Sequence, residues 1–287
     1  MNKFYNVNTL LKQGYKILKD KKIESYILDV QLLLGKAINK DRLFIFINGD
    51  YKVTEEEVEK YYYYLKLREK KMPVKYILGQ CEFMGMDFIV KPGVLIPRPD
   101  TETLVEQALE EIDNNECYNI CDLCCGTGAI GISLAKFKEY IDIVCCDISD
   151  TACEVAEQNV GRYRLDKRVK VVKSDLMEYF ILNKIKFNMI VCNPPYIKES
   201  IIDTLMEDVK NYEPYEALNG GEDGLEFYRK IVKQSLKVLT ESGMLIFEIG
   251  HEQKKDVISI LAKYGFKDIT CIKDLAGKDR VIKAVIS

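Results

Sequence analysis

Histidine is almost absent from this chain. His251 stands alone among 287 residues, so neither a His-based metal site nor a His-containing catalytic triad is expected. Long apolar runs are missing as well. Nowhere do about 18 apolar residues follow one another, as a membrane-crossing helix needs, and residues 1–16 hold no apolar signal core. A cytoplasmic protein with no membrane association is expected. There is also no basic excess: 42 Lys+Arg face 45 Asp+Glu, a net charge of −3. Binding to nucleic acid is dominated by phosphate neutralisation, so a protein or small-molecule substrate is favoured and no direct nucleic-acid partner is expected. Internal repeats and low-complexity tracts are lacking, which excludes a solenoid.

Apolar residues make up 47% of the chain, enough for a sizeable core. Ten cysteines are present. Cys121, Cys124, Cys125, Cys145, Cys146 and Cys192 sit in apolar, strand-like runs and read as small buried hydrophobes. Cys121 and Cys124 have CxxC spacing, but no second pair follows at zinc-site spacing, so no metal is expected.

Residues 1–72 read as helical. Apolar residues recur near the 3.6 period over Thr9–Leu18 and Glu24–Ile38, and Thr54-Glu55-Glu56-Glu57 is a capping-box signature opening a third helix that Pro73 ends. The Tyr61–Tyr64 run wraps that helix, part core and part surface. Two short strand candidates, around Cys81–Phe83 and Asp87–Val90, flank Met84-Gly85-Met86 as a hairpin, and Pro92, Pro97 and Pro99 stiffen the segment that follows. From Asp100 onward, helix and strand patterns alternate. Strand candidates lie at Asn119–Cys124, Ile141–Asp147, Val169–Val172, Phe187–Asn193, Met244–Glu248, Ile269–Ile272 and Val281–Val285. Such alternation implies a mostly parallel sheet covered on both faces, with ligands at the carboxyl ends of the strands.

Two motifs carry chemistry. Asp122-Leu123-Cys124-Cys125-Gly126-Thr127-Gly128 follows a strand and opens a helix, where small residues let a nucleotide-like ligand approach the backbone. Asp147 ends the next strand, 19 residues after Gly128, where a carboxylate can accept both ribose hydroxyls. The loop alone leaves NAD and S-adenosylmethionine open as cofactors, since Gly131 formally completes a Gly-x-Gly-x-x-Gly pattern. The second motif, Asn193-Pro194-Pro195-Tyr196, decides for S-adenosylmethionine. Its prolines end a strand and remove two donors. That exposes the Asn193 side chain and nearby carbonyls as acceptors able to orient an NH2 group, and Tyr196 can stack on the group carrying it. A sulfonium methyl donor needs mainly alignment, which can supply about 7–11 kcal/mol, and carbonyl dipoles stabilise the charge developing on nitrogen. No carboxylate base is apparent beside the motif. Asp175 is placed either at the adenine edge or at a helix N-cap, and Glu248-Ile249-Gly250 either beside the cleft or in a plain turn.

Beyond these two motifs, the chain carries Pro73–Gly79, Glu82–Gly85, Val94–Glu102, Tyr212–Pro214, Ala217-Leu218, Gly221–Leu225, Glu248–Gly250 and Asp274–Arg280. With Asn193–Tyr196, these stretches resemble the release-factor glutamine methyltransferase family over nearly the full length. The resemblance implies a Rossmann-like class I methyltransferase fold: an α/β domain with a mostly parallel seven-stranded sheet, a small N-terminal helical domain and a connecting β-hairpin. The boundaries expected are 1–72 for substrate recognition, 73–99 for the connector and 100–287 for the methyltransferase domain. It further implies methylation of the side-chain amide of the glutamine in the Gly-Gly-Gln motif of peptide chain release factors. Cofactor would lie on Cys124, Cys125, Gly126, Thr127 and Gly128, with Asp147 at the ribose, Asp175 and Leu176 at the adenine, and Asn193 adjoining. Asn193 and the Pro194 carbonyl would hold the amide, with Pro195 and Tyr196 forming its slot. Two departures stand out: Cys124 and Cys125 occupy positions where the family commonly has Gly and Thr, and Asp100 stands where it often has Glu.

Overall fold

The structure, a computed structural model, describes residues 5–113 and 116–286. Residues 1–4 of the opening segment lie outside them. Two compact units make up the chain: one runs to Gln80 and includes Met206–Tyr212, and the other holds Cys81–Leu205 with Glu213 onward.

The first unit is helical, as its sequence period requires. Its long helices are Val7–Asp20, Tyr26–Ile38 and Glu55–Glu69, with shorter ones at Arg42–Ile47 and Val74–Leu78. Side chains set three of these starts: Asn6 Oδ1 accepts from Thr9 N at 2.9 Å and Asp41 Oδ1 from Phe44 N at 2.7 Å. Thr54 and Glu57 form both arms of the capping box, satisfying donors that a helix start leaves free. Leu10, Leu18, Leu33, Leu34, Tyr61 and Leu65 fill the core. Gly14 is required there: a Cβ on it would lie 2.0 Å from the Tyr61 hydroxyl oxygen, and that hydroxyl donates to the Leu10 carbonyl at 3.0 Å. A buried ion pair joins Arg68 to Asp29 at 2.7 Å, with Asp208 of the 206–212 segment 3.8 Å from the same guanidinium. Strands β1 (Tyr5–Asn6) and β2 (Lys52–Val53) pair antiparallel.

The second unit opens with a hairpin, β3 (Gln80–Phe83) and β4 (Met86–Ile89), reversed at Met84 and Gly85 with φ of 51° and 70°, the left-handed pair that a tight hairpin turn demands. The main sheet contains β5 (Tyr118–Leu123), β6 (Ile141–Asp147), β7 (Val169–Lys173), β8 (Phe187–Cys192), β9 (Leu239–Glu248), β10 (Phe266–Lys273) and β11 (Asp279–Ile286). They lie in the order β10-β11-β9-β8-β5-β6-β7. β5 to β9 are parallel, and β11 runs antiparallel to both its neighbours.

Period-two alternation covers both faces. Ile120, Cys145, Val191 and Ile246 enter one core with the helices Glu102–Glu111, Ala129–Phe137 and Asp150–Tyr163. Cys121, Cys146, Cys192 and Phe247 enter the other with Glu178–Leu182, Glu226–Ser235 and Lys254–Lys263. Those strand cysteines are buried free thiols, as expected, and so is Cys125; Cys124 differs in being only half-buried. Among the described residues no helix is long and apolar enough to cross a membrane, and no group of three or more potential ligands could hold a metal.

From β5 the chain proceeds outward through β6 and β7, then returns to the other side of β5 with β8. A crevice must open at the carboxyl ends of β5 and β8, where the winding reverses. Register sharpens this: Leu123 is paired with Cys146 on one side and Cys192 on the other. The next residues, Cys124, Asp147 and Asn193, therefore emerge side by side.

Candidate active site

The loop after β5 is shaped by backbone that leaves the right-handed region. Cys124, Gly126 and Gly128 have φ of 58°, 56° and 74°. Only Gly126 and Gly128 adopt this freely; the Cys124 side chain carries a strain of roughly 1 kcal/mol there. A Cβ on Gly126 would meet nothing nearer than Val94 Cγ1 at 3.8 Å, so the loop is open on that side. Gly131 differs. A Cβ there would lie 2.8 Å from Ile143 and 2.9 Å from Cys145, so this glycine serves helix-to-strand packing.

Asp122 is fully buried and its Oδ2 accepts from Gly131 N at 2.8 Å. Its Oδ1 has no partner among the described residues, and burial raises its carboxyl to about 7. Asp147 accepts from Gly126 N at 2.9 Å on Oδ2 and from Ser149 N at 3.0 Å on Oδ1. The Ile148 backbone N–H adds a third hydrogen bond, which leaves the carboxylate acceptor capacity to spare, and burial pushes its carboxyl up as well. Asp175 is exposed and is not the N-cap of the helix Glu178–Leu182, whose N-cap is Met177, without a side-chain cap. Leu176 is buried at φ 47°.

The site residues expected from the sequence gather mostly around one cleft of about 640 Å³. Cys124, Cys125, Gly126, Thr127, Asp147, Asp175, Leu176, Asn193 and Pro195 all line it; Gly128, Pro194 and Tyr196 do not. Arg98, Thr101, Pro214 and Phe227 line it as well. Arg98 is fixed there by Glu213 at 2.6 Å.

Asn193 follows β8 directly. Its Nδ2 donates to Thr101 Oγ1 at 3.3 Å, and the Thr101 hydroxyl in turn donates to Glu248 Oε2 at 2.5 Å. The Tyr196 hydroxyl donates to Glu248 Oε1 at 3.2 Å. Gln253 Nε2 donates to the Tyr196 carbonyl at 3.0 Å. Tyr196 is thus held at both ends, with its ring against Gly250, and burial raises its hydroxyl well above the ordinary tyrosine range.

Sequence reasoning found no carboxylate beside Asn193–Tyr196, and the structure corrects this. Glu248 is 1% exposed, its carboxyl raised chiefly by burial and lowered by the Thr101 hydrogen bond and the Arg280 charge. The sequence offers Glu248 either beside the cleft or in a plain turn, but its distance along the chain hides its link to Asn193. β9 pairs with β8 in the register Cys192↔Phe247, so Asn193 and Glu248 leave their strands level. A charge immediately after the apolar run Leu245–Phe247 was the available signal. Thr101 was missed as well; it precedes its helix in sequence but faces inward, 5% exposed.

Comparison with known proteins agrees with this layout. Residues 9–79 match the PrmC N-terminal domain, and residues 97–210 match the Methyltransferase small domain. The chain is 57% identical to the release factor glutamine methyltransferase of Clostridium botulinum, spanning 96% of this chain and 97% of that one. It is 46% identical to the enzyme of that name from Clostridium acetobutylicum, spanning 97% and 98%. In fold, 71% of the chain superposes on 90% of a methyltransferase from Pyrococcus furiosus at a TM-score of 0.51 and 18% identity. Identity of this extent over the whole length, with both domain matches in place, means that the chain belongs to the release factor glutamine methyltransferase family.

Proposed function

We propose that this protein transfers the methyl group of S-adenosylmethionine to the side-chain amide nitrogen of the glutamine in the Gly-Gly-Gln motif of peptide chain release factors, acting in the cytoplasm. The observation that carries the proposal is the meeting of Asn193 with the cofactor loop and Asp147 in one cleft at the winding reversal.

The residues of the cleft suit such a cofactor. Gly126 leaves the loop open, Asp147 retains acceptor capacity that ribose hydroxyls would use, and Asp175 and Leu176 would border the adenine. The cofactor supplies an electrophilic methyl group on a sulfonium; everything else falls to the chain. Asn193 Nδ2 is committed to Thr101, which leaves Oδ1 to accept one proton of the substrate amide. The family resemblance gives the other to the carbonyl of Pro194, which itself does not line the cleft, and Pro195 walls the slot. Two fixed acceptors set the nitrogen in line with the methyl carbon. They also stabilise the positive charge that builds there during transfer. The proton leaves afterwards, so no group need remove it first. Tyr196 anchors the segment through Glu248 and Gln253. The N-terminal helical unit grips the release factor.

Incubation with labelled S-adenosylmethionine and either an intact release factor or its Gln→Ala variant tests this. Label on the intact protein alone is expected; equal label on both, or label only on added RNA or DNA, refutes it.

A further inference from the structure

Why should Asn193 present its oxygen, rather than its NH2, to the cleft? A side-chain amide can sit either way round, and only its hydrogen-bond partners decide. Here the decision is traceable to one proton. Thr101 has a single hydroxyl proton, and the 2.5 Å contact commits it to Glu248 Oε2. An ionised carboxylate only accepts. Thr101 Oγ1 is then an acceptor toward Asn193, so the atom facing it at 3.3 Å must be Nδ2.

We propose that Thr101 and Glu248 form a polarity lock: they are positioning residues whose chain of hydrogen bonds holds Asn193 Oδ1 toward the acceptor amide. The lock rests on the glutamine reading above, and it extends to Tyr196, whose hydroxyl occupies the second carboxylate oxygen. Glu248 thereby orients both ends of the Asn193–Tyr196 segment from a buried site. Protonating Glu248 reverses the chain. The carboxylic acid donates to Thr101, Thr101 donates to Asn193, and the amide turns its NH2 toward a substrate NH2, donor against donor. The groups facing Glu248 are Tyr196, the Tyr228 hydroxyl on its backbone carbonyl, Arg280 of β11 and Asp100 ahead of the helix Glu102–Glu111. Burial opposes the ionised form most strongly and Asp100 adds to that, whereas the Thr101 and Tyr196 hydrogen bonds and the Arg280 charge favour it.

Thr101→Val keeps the shape and removes the hydroxyl; Thr101→Ser keeps the hydroxyl. On an intact release factor, Thr101→Val should lower kcat on the order of ten-fold or more, the scale of one lost orienting hydrogen bond, with cofactor Kd unchanged by calorimetry. Thr101→Ser should recover the rate to within about three-fold of wild type. A second readout needs no acceptor: the Asn193 side-chain NH2 signals in 15N–1H spectra, identified by their loss in Asn193→Asp. They should shift in Thr101→Val but stay in place in Thr101→Ser. Equal rates and unmoved signals in Thr101→Val overturn the lock, as does equal impairment of the two variants. Failure of the wild type to modify the release factor, with the signals shifting as stated, overturns the glutamine reading and leaves the lock standing.

Discussion

The backbone N–H of Gly126 donates to Asp147 Oδ2 at 2.9 Å, so the carboxylate ending β6 also shapes the loop that follows β5. Asp147→Ala should therefore harm cofactor binding twice, by removing the ribose acceptor and by releasing the loop. Hydrogen bonds to a charged group are worth about 1.5–3 kcal/mol each, and calorimetry should show at least a ten-fold loss of affinity. Retained affinity would detach Asp147 from the cofactor.

Asn193 makes the opposite prediction. Its Nδ2 bonds Thr101 and its backbone lies outside the loop, so Asn193→Ala should abolish methyl transfer while cofactor Kd stays within a few-fold. A comparable loss in binding would make Asn193 mainly a cofactor residue.

Cys124 holds φ 58°, a left-handed conformation that only glycine adopts freely. Cys124→Gly relieves that strain and should raise stability by about 0.5–1 kcal/mol, measured by urea unfolding. Lower stability would mean that the thiol's packing outweighs the backbone term.

Asp122 binds its proton more tightly folded, at about 7, than its ordinary 3.8. Between those values the folded state holds the proton and the unfolded state has lost it, so stability falls as pH rises through that window. Below it both states are protonated and the effect vanishes. Relative to Asp122→Asn, the wild type should lose up to a few kcal/mol between about pH 4 and pH 7. Parallel pH profiles for the two proteins would show Asp122 to be ionised in the fold.

Gly14→Ala sets a methyl 2.0 Å from the Tyr61 hydroxyl oxygen and should destabilise the N-terminal unit by several kcal/mol, as overpacking does. Tyr61→Phe alone should cost about 1 kcal/mol for the bond to Leu10. Combined, they should be less harmful than their sum, because the phenylalanine removes the clashing atom. Strict additivity would contradict the close approach.

The strands of the main sheet were legible because a sheet covered on both faces writes near-continuous apolar runs such as Ile143–Cys146 and Ile190–Cys192. The long helices were legible from their period and, at Thr54 and Glu57, from a cap. Short helices such as Glu199–Ile202 and Tyr215–Leu218 are too brief to carry a period. That the Met206–Tyr212 segment belongs with the N-terminal helices rests on tertiary pairs, Asp208 with Arg68 and the Tyr212 hydroxyl with the Lys70 carbonyl, which no local pattern encodes. The site divides the same way. The Gly-rich loop, Asp147 and Asn193 stand in recognisable motifs, whereas Thr101 and Glu248 acquire meaning only when strand order sets β9 beside β8.

The most direct measurement is fragmentation mass spectrometry of a release factor after incubation with the protein and S-adenosylmethionine. One added methyl group on the side-chain nitrogen of the Gly-Gly-Gln glutamine is the predicted result; a methyl group on any other residue, or an unmodified release factor beside a methylated nucleic acid, would contradict it.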